Sequence, residues 1–175
     1  AAHRGFNLFM GKALCGTCHF LPLYTGVVPP DYGDHEAEII GVPARPDTAG
    51  ATVSPDAGKY ALYGYELHRF SFKTTTVRNA ALTAPYMHNG VFETLEEVVD
   101  FYNRGGGAGI GIELTYQTLP TDPLNLTALE MKDLVLFMEA LTDTTNLTTR
   151  PDRLPVVYHD AGRTEAIQRV PGGIY

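Results

Sequence analysis

Apolar residues in "TLEEVVDFYNRGGG" (94–107) fall at Leu95, Val98, Val99 and Tyr102, the i, i+3, i+4, i+7 spacing of one helix face. Thr94, with Glu97 three residues on, predicts a capping box at the start of this helix, and Gly105–Gly107 stop it. The same arrangement returns in "LTALEMKDLVLFMEALT" (126–142), where Thr127 caps toward Glu130. There Met131, Leu134, Val135 and Met138 line one face, extended by Phe137 and Leu141. This is the longest predicted helix, and it is expected to pack on a shorter N-terminal one. That first helix lies in "RGFNLFMGKAL" (4–14), with Gly5, Leu8, Phe9 and Leu14 on its inner side.

Between these helices the pattern is broken. Residues 20–60 carry Pro22, Pro29, Pro30, Pro43, Pro46 and Pro55, interleaved with Gly26, Gly33, Gly41, Gly50 and Gly58. They predict a long wrapping loop with at most one short strand near Glu38–Val42. Residues 70–92 read as a second ordered loop. Residues 143–175 contain Pro151, Pro155 and Pro171 with no strong periodicity, and read as an extended surface tail. Its apolar "LPVVY" (154–158) hints at an interface.

Composition sharpens the picture only in part. The chain has 175 residues, 44% hydrophobic and 19% charged, enough for one soluble domain with a core. Glycine (18) and proline (12) are abundant, so a loop-rich fold needs an organising centre. The net charge of −7 argues against nucleic acid or an anionic membrane surface, and suits a basic redox partner better. No apolar run approaches the ~18 residues of a membrane span, and no signal-peptide pattern opens the chain. The start, "AAHRG", reads as a processed terminus or a cut inside a longer protein.

The candidate chemistry is concentrated in "ALCGTCHF" (13–20), which holds both cysteines of the chain. A redox dithiol needs its CxxC after a strand, which is missing here. A zinc site needs further soft ligands, and no second Cys/His pair exists. Covalent haem c attachment needs only two thiols and an adjacent imidazole, and Cys15, Cys18 and His19 supply them. The fold expected is therefore mainly α, a cytochrome c-like domain (1–142) with long loops wrapped around one covalently bound haem c. Because haem c is attached outside the bacterial cytoplasm, a periplasmic location follows.

The other face of the iron is open on these grounds alone. Met131 and Met138 belong to an apolar helix face and read as core. His3, His35, His68 and His159 sit in polar loops or termini and read as solvated. Met87 and His88, in the tight "PYMHNG" loop, are the candidates plain chemistry favours. Tyr102 is inward on its helix, where a tyrosine is ordinarily core.

"RGFNLFMGKALCGTCH", "EIIGVP", "FKTTTVRNAALTAPYMHNGVFETLEEVVDFYNRGGG" and "LTALEMKDLVLFMEALT" together resemble the C-terminal half of the bacterial di-haem cytochrome c peroxidases, and more narrowly their MauG-like branch. The resemblance runs from about Arg4 to Leu141. One departure is Thr75, where the family usually has proline; it touches no ligand. The resemblance implies that Tyr102, in "DFYNRGGG", takes the second axial position, with Met87 as the rival. It implies calcium held by the backbone carbonyls of Thr83 and Pro85, a haem propionate paired with Arg78, and His88 shaping the haem pocket. It also implies a second, peroxide-binding haem on another domain or subunit, and a redox protein as electron donor or acceptor. A six-coordinate haem closed by Tyr102 makes this chain alone a poor peroxidase. The alternative function is a one-haem electron-transfer cytochrome without catalysis.

Overall fold

The computed structural model describes residues 1–46 and 50–145. The chain divides into Ala1–Thr142 and Asp143–Tyr175. The tail and its "LPVVY" stretch lie outside the described residues, apart from 143–145.

Helix α1 spans Ala2–Met10 and buries Gly5 and Phe9. It stops four residues short of the expected end because the chain turns at Gly11, whose N–H donates to the Leu8 carbonyl. Ala13 therefore takes the inner position expected for Leu14. Leu14 adopts a left-handed backbone (φ +58°) and is 41% exposed. A single 3₁₀ turn, Cys15–Thr17, follows at once.

The short strand β1 is Ala37–Ile39, inside the stretch expected to be loop with one strand. Its partner was not foreseen: Ser71–Lys73, in the second loop, forms β2 and pairs antiparallel, with Glu38 opposite Phe72. A four-residue helix, α2, occupies Tyr60–Tyr63.

Helix α3, Leu95–Asn103, carries the expected capping box: Glu97 N–H donates to Thr94 Oγ1, and Thr94 N–H donates back to Glu97 Oε2. Leu95, Val99 and Phe101 are buried, so the helix packs on two sides rather than on one stripe. The following glycines do more than stop it. Gly105 turns left-handed at φ +94°, and Gly106–Gly109 then form a short helix, α4. A Cβ on Gly107 would lie 2.6 Å from Gly41 Cα, so two backbones touch where any larger side chain would hold them apart. Gln117 clamps this turn: its Nε2 donates to the carbonyls of Gly105 and Leu119, and its Oε1 accepts from Ala108 N–H.

Helix α5, Ala128–Ala140, begins at Thr127 with a second capping box and is the longest helix among the described residues. It packs on α1, as expected from the sequence. Phe9 sits where they cross, 2% exposed, its ring 5.3 Å from that of Phe137 and edge-on to it. Glu130 is held down to about 2, first by the Lys12 ammonium and then by the helix's own cap.

One member of the buried face of α5 is charged. Asp133 is 3% exposed and accepts two hydrogen bonds from Arg4, at 2.7 Å (Nε) and 2.9 Å (Nη2). Met131, expected on that face, is only partly buried. The Arg4 hydrogen bonds hold the Asp133 carboxyl below its ordinary value. A depressed carboxylate contributes stability that is full above its unfolded value of about 3.9 and is lost as pH falls through its folded value. Arg4→Met should therefore lower the melting temperature by several degrees at neutral pH, with the gap to wild type narrowing in acid. A gap of constant size in melting curves across that range would sink the assignment.

A candidate haem site

The α1–α5 crossing, the 3₁₀ turn and the inner face of α3 line a partly open cavity of about 710 Å³. That size lies within the ~300–1,000 Å³ of ligand and cofactor clefts. Its walls are largely apolar, with Leu95, Val98 and Val99 from α3 facing Leu134 and Met138 from α5. Cys15, Cys18, His19, Met87, His88 and Tyr102 all line it. Residues from positions 15 to 102 thus meet around one space.

Burial pushes the Cys15 thiol up to about 12 and raises that of Cys18 as well. Both therefore stay protonated at neutral pH. A redox dithiol needs a thiolate at neutral pH, so this environment opposes that reading. Among the described residues, Cys18 also lies with Glu36 and Glu38, their ligand atoms within 4.8 Å of one another. Two neutral thiols on an apolar wall, with an imidazole beside them, fit a tethered porphyrin instead.

His19 is held from behind. Its Nδ1 lies 3.3 Å from the Tyr24 carbonyl oxygen, and its ring is 6.1 Å from that of Phe9. Burial lowers its pKa, so the ring is neutral at neutral pH, as a metal ligand must be. Tyr102 projects from the last turn of α3 with its ring edge-on to Phe101, the centroids 5.6 Å apart. Burial raises its phenol above the ordinary value, and the neighbouring Cys15, Cys18 and Glu38 add to the effect. Only a strong positive charge could deprotonate it there.

Met87 shares the apolar cluster of Tyr102, packed against Phe92, Phe101, Ile110 and Ile112. Its backbone is left-handed, at φ +67°. His88 stacks on Phe72 and reaches Ser54. Thr83 and Pro85 are exposed residues that line the cavity. Arg78 stands apart: it is exposed and does not line the cavity, although its neighbours Thr76 and Val77 do. Sequence reasoning missed three contributors: Phe72, Ser54 and the Gln117 clamp. The first two join the site only through pairings far apart in sequence, and no local pattern marks them.

No family model matches the chain. Individual proteins do, and the chain belongs to the family of bacterial cytochrome c peroxidases and MauG. It is 35% identical over 191 residues to cytochrome-c peroxidase IdrP2 of Pseudomonas sp. (strain SCT), covering 98% of this chain and 45% of that protein. With IdrP1 of the same strain the identity is 38% over 169 residues, 89% of this chain and 43% of the other. MauG of Methylorubrum extorquens is 33% identical over 140 residues, 80% of this chain and 34% of its own. Among solved structures, a MauG-like protein associated with microbial copper homeostasis superposes with a TM-score of 0.63 at 27% identity. That match covers 85% of this chain and 48% of the other. The diheme peroxidase BthA from Burkholderia thailandensis gives a TM-score of 0.55 at 25% identity, covering 86% and 44%. The chain spans a little under half the length of the curated relatives it matches.

Proposed function

We propose that residues 1–142 are the haem c domain of a MauG-like di-haem peroxidase or oxidase, matching its C-terminal half, and that His19 and Tyr102 are the side chains that would hold its iron. The observation that carries this reading is the convergence of Cys15, Cys18, His19 and Tyr102 on one apolar-walled cavity. When bound, such a haem supplies one-electron redox chemistry and shares oxidising equivalents with a peroxide-binding haem held elsewhere.

The chain's own residues divide the work. Cys15 and Cys18 tether the porphyrin edge as thioethers. The Tyr24 carbonyl accepts the Nδ1–H of His19, which leaves the Nε2 lone pair for iron and makes the ring more basic. As a ligand, the Tyr102 oxygen would favour ferric over ferrous iron, whereas the thioether of Met87 would favour the reverse. Thr83 and Pro85 offer carbonyls to a calcium ion, which needs several further oxygens from a neighbouring domain. For Arg78 to pair with a propionate, its side chain must fold inward from the surface beside Thr76.

A haem held by both His19 and Tyr102 would leave peroxide chemistry to a haem outside this domain. The active unit therefore includes another haem-bearing domain or subunit, with a redox protein as donor or acceptor, in the periplasm. None of the helices among the described residues is long and apolar enough to cross a membrane. The competing reading is a one-haem electron-transfer cytochrome, which would carry the same CxxCH motif.

Native mass and haem count separate the two. Two haems per particle, with calcium, are expected for the peroxidase reading. A one-haem monomer with a reversible high potential would establish the electron carrier instead. The ligand assignment has its own test. Tyr102→Phe should open a coordination position and change the ferric spin state in the electronic and paramagnetic resonance spectra. An unchanged spectrum would remove Tyr102 from the iron, and a methionine–iron charge-transfer band in the wild type would put Met87 there.

A further inference from the structure

His88 meets the cavity with its ring stacked on Phe72, centroids 3.7 Å apart and planes 8° from parallel. Stacking fixes the plane of an imidazole but not its orientation within that plane. A half-turn about the Cβ–Cγ bond exchanges nitrogen and carbon edges without leaving the stack. Ser54 removes that freedom, because its Oγ lies 3.0 Å from Nε2 of His88.

Ser54 is itself well anchored. It is 3% exposed, and its N–H donates to the Val42 carbonyl at 2.8 Å, next to the bridge between Pro43 and Val53. The residue after His88 ties into the same place: Asn89 Nδ2 donates to the Pro43 carbonyl at 2.9 Å. The "PYMHNG" loop is therefore pinned to the 42–54 loop by two adjacent side chains.

We propose that Ser54 is a positioning residue for the cofactor cavity: its hydroxyl donates to Nε2 of His88, fixing the Nδ1–H tautomer and offering that N–H to a carboxylate on the cofactor. A buried hydroxyl needs an acceptor for its proton, and Nε2 is within reach of one. The opposite arrangement, with Nε2–H donating to Ser54, would present the Nδ1 lone pair to an anion and repel it. The cofactor half of this proposal rests on the haem reading above.

The test uses ¹⁵N-histidine-labelled, haem-loaded protein in the ferrous state, with midpoint potentials measured on the same samples. Wild type should show a protonated Nδ1 and an acceptor-type Nε2 at His88. In Ser54→Ala the tautomer ratio should fall roughly tenfold, the loss of about one net hydrogen bond, and the potential should move with it. Ser54→Thr, which keeps the hydroxyl, should restore both. A protonated Nε2 in the wild type overturns the proposal, and so does a Ser54→Ala protein with unchanged tautomer or unchanged potential. If Ser54→Ala does not fold, the wild-type and Ser54→Thr spectra still decide, since both must show Nδ1–H. A wild type without covalent haem counts against the haem reading, while its His88 nitrogen shifts still decide for or against Ser54.

Discussion

On the haem reading proposed above, a chain carrying Cys15→Ser and Cys18→Ser together should keep no haem through a denaturing gel, where the wild type should keep it. The reason lies in the cavity as much as in the lost bonds. Its walls are largely apolar, with Leu95, Val98, Val99, Leu134 and Met138 among them. Without a porphyrin against them these side chains face water, which costs roughly 25 cal/mol per Å² of apolar surface left uncovered. His19, held by the Tyr24 carbonyl, and Tyr102 would then give only reversible bonds. The double variant should accordingly lose near-ultraviolet dichroism and bind a hydrophobic dye while keeping much of its helix signal. Haem stain persisting after denaturation would show that the link to the protein is made by other residues.

The second large effect comes from one hydrogen atom. Gly5→Val should cost about 3 kcal/mol or more, toward the upper end of overpacking effects, and should sharply reduce haem incorporation. A Cβ at position 5 would lie 2.6 Å from Phe137 Cβ and 2.7 Å from the Asp133 carbonyl carbon. Neither neighbour can rotate away, because one is backbone and the other is the root of a side chain. The helices must separate, and Phe9, one turn further along α1, then leaves the His19 ring. Gly33→Ala is the matched control. Nothing lies within 4 Å of a Cβ there, so stability should stay within about 0.5 kcal/mol of wild type. Equal denaturation midpoints for Gly5→Val and Gly33→Ala would refute the close-contact account.

The three main helices were legible because each writes its own grammar locally. The Thr94–Glu97 and Thr127–Glu130 caps, followed by apolar residues at helical spacing, specify both starts without any tertiary information. The CxxCH motif was legible because the three groups it needs are contiguous. The pairing of β1 with β2 was not, since three-residue strands have too few alternations to register a period. Asp133 escaped notice for another reason. A carboxylate reads as solvent-facing unless its partner is known, and Arg4 lies 129 residues away. Leu14 and Ala13 exchanged roles because Gly11 breaks the helical phase that the apolar count assumed. Tyr102 was legible as inward from its helix, but that it shares a cavity with Cys15 depends on how α1, α3 and α5 pack.

Tyr102 stands one residue before the C-terminal end of α3, and that address carries a field of its own. The aligned peptide dipoles of a helix leave roughly half a negative charge at its last turn. A phenolate placed there is opposed by about 0.3–1 kcal/mol from the helix itself, and a cation bound to it is favoured by the same potential. The more highly charged the cation, the larger its gain. If Tyr102 holds the iron as proposed, the backbone of α3 adds to the preference of that side chain for an oxidised metal. Moving the tyrosine to the start of the helix would reverse the sign of that contribution.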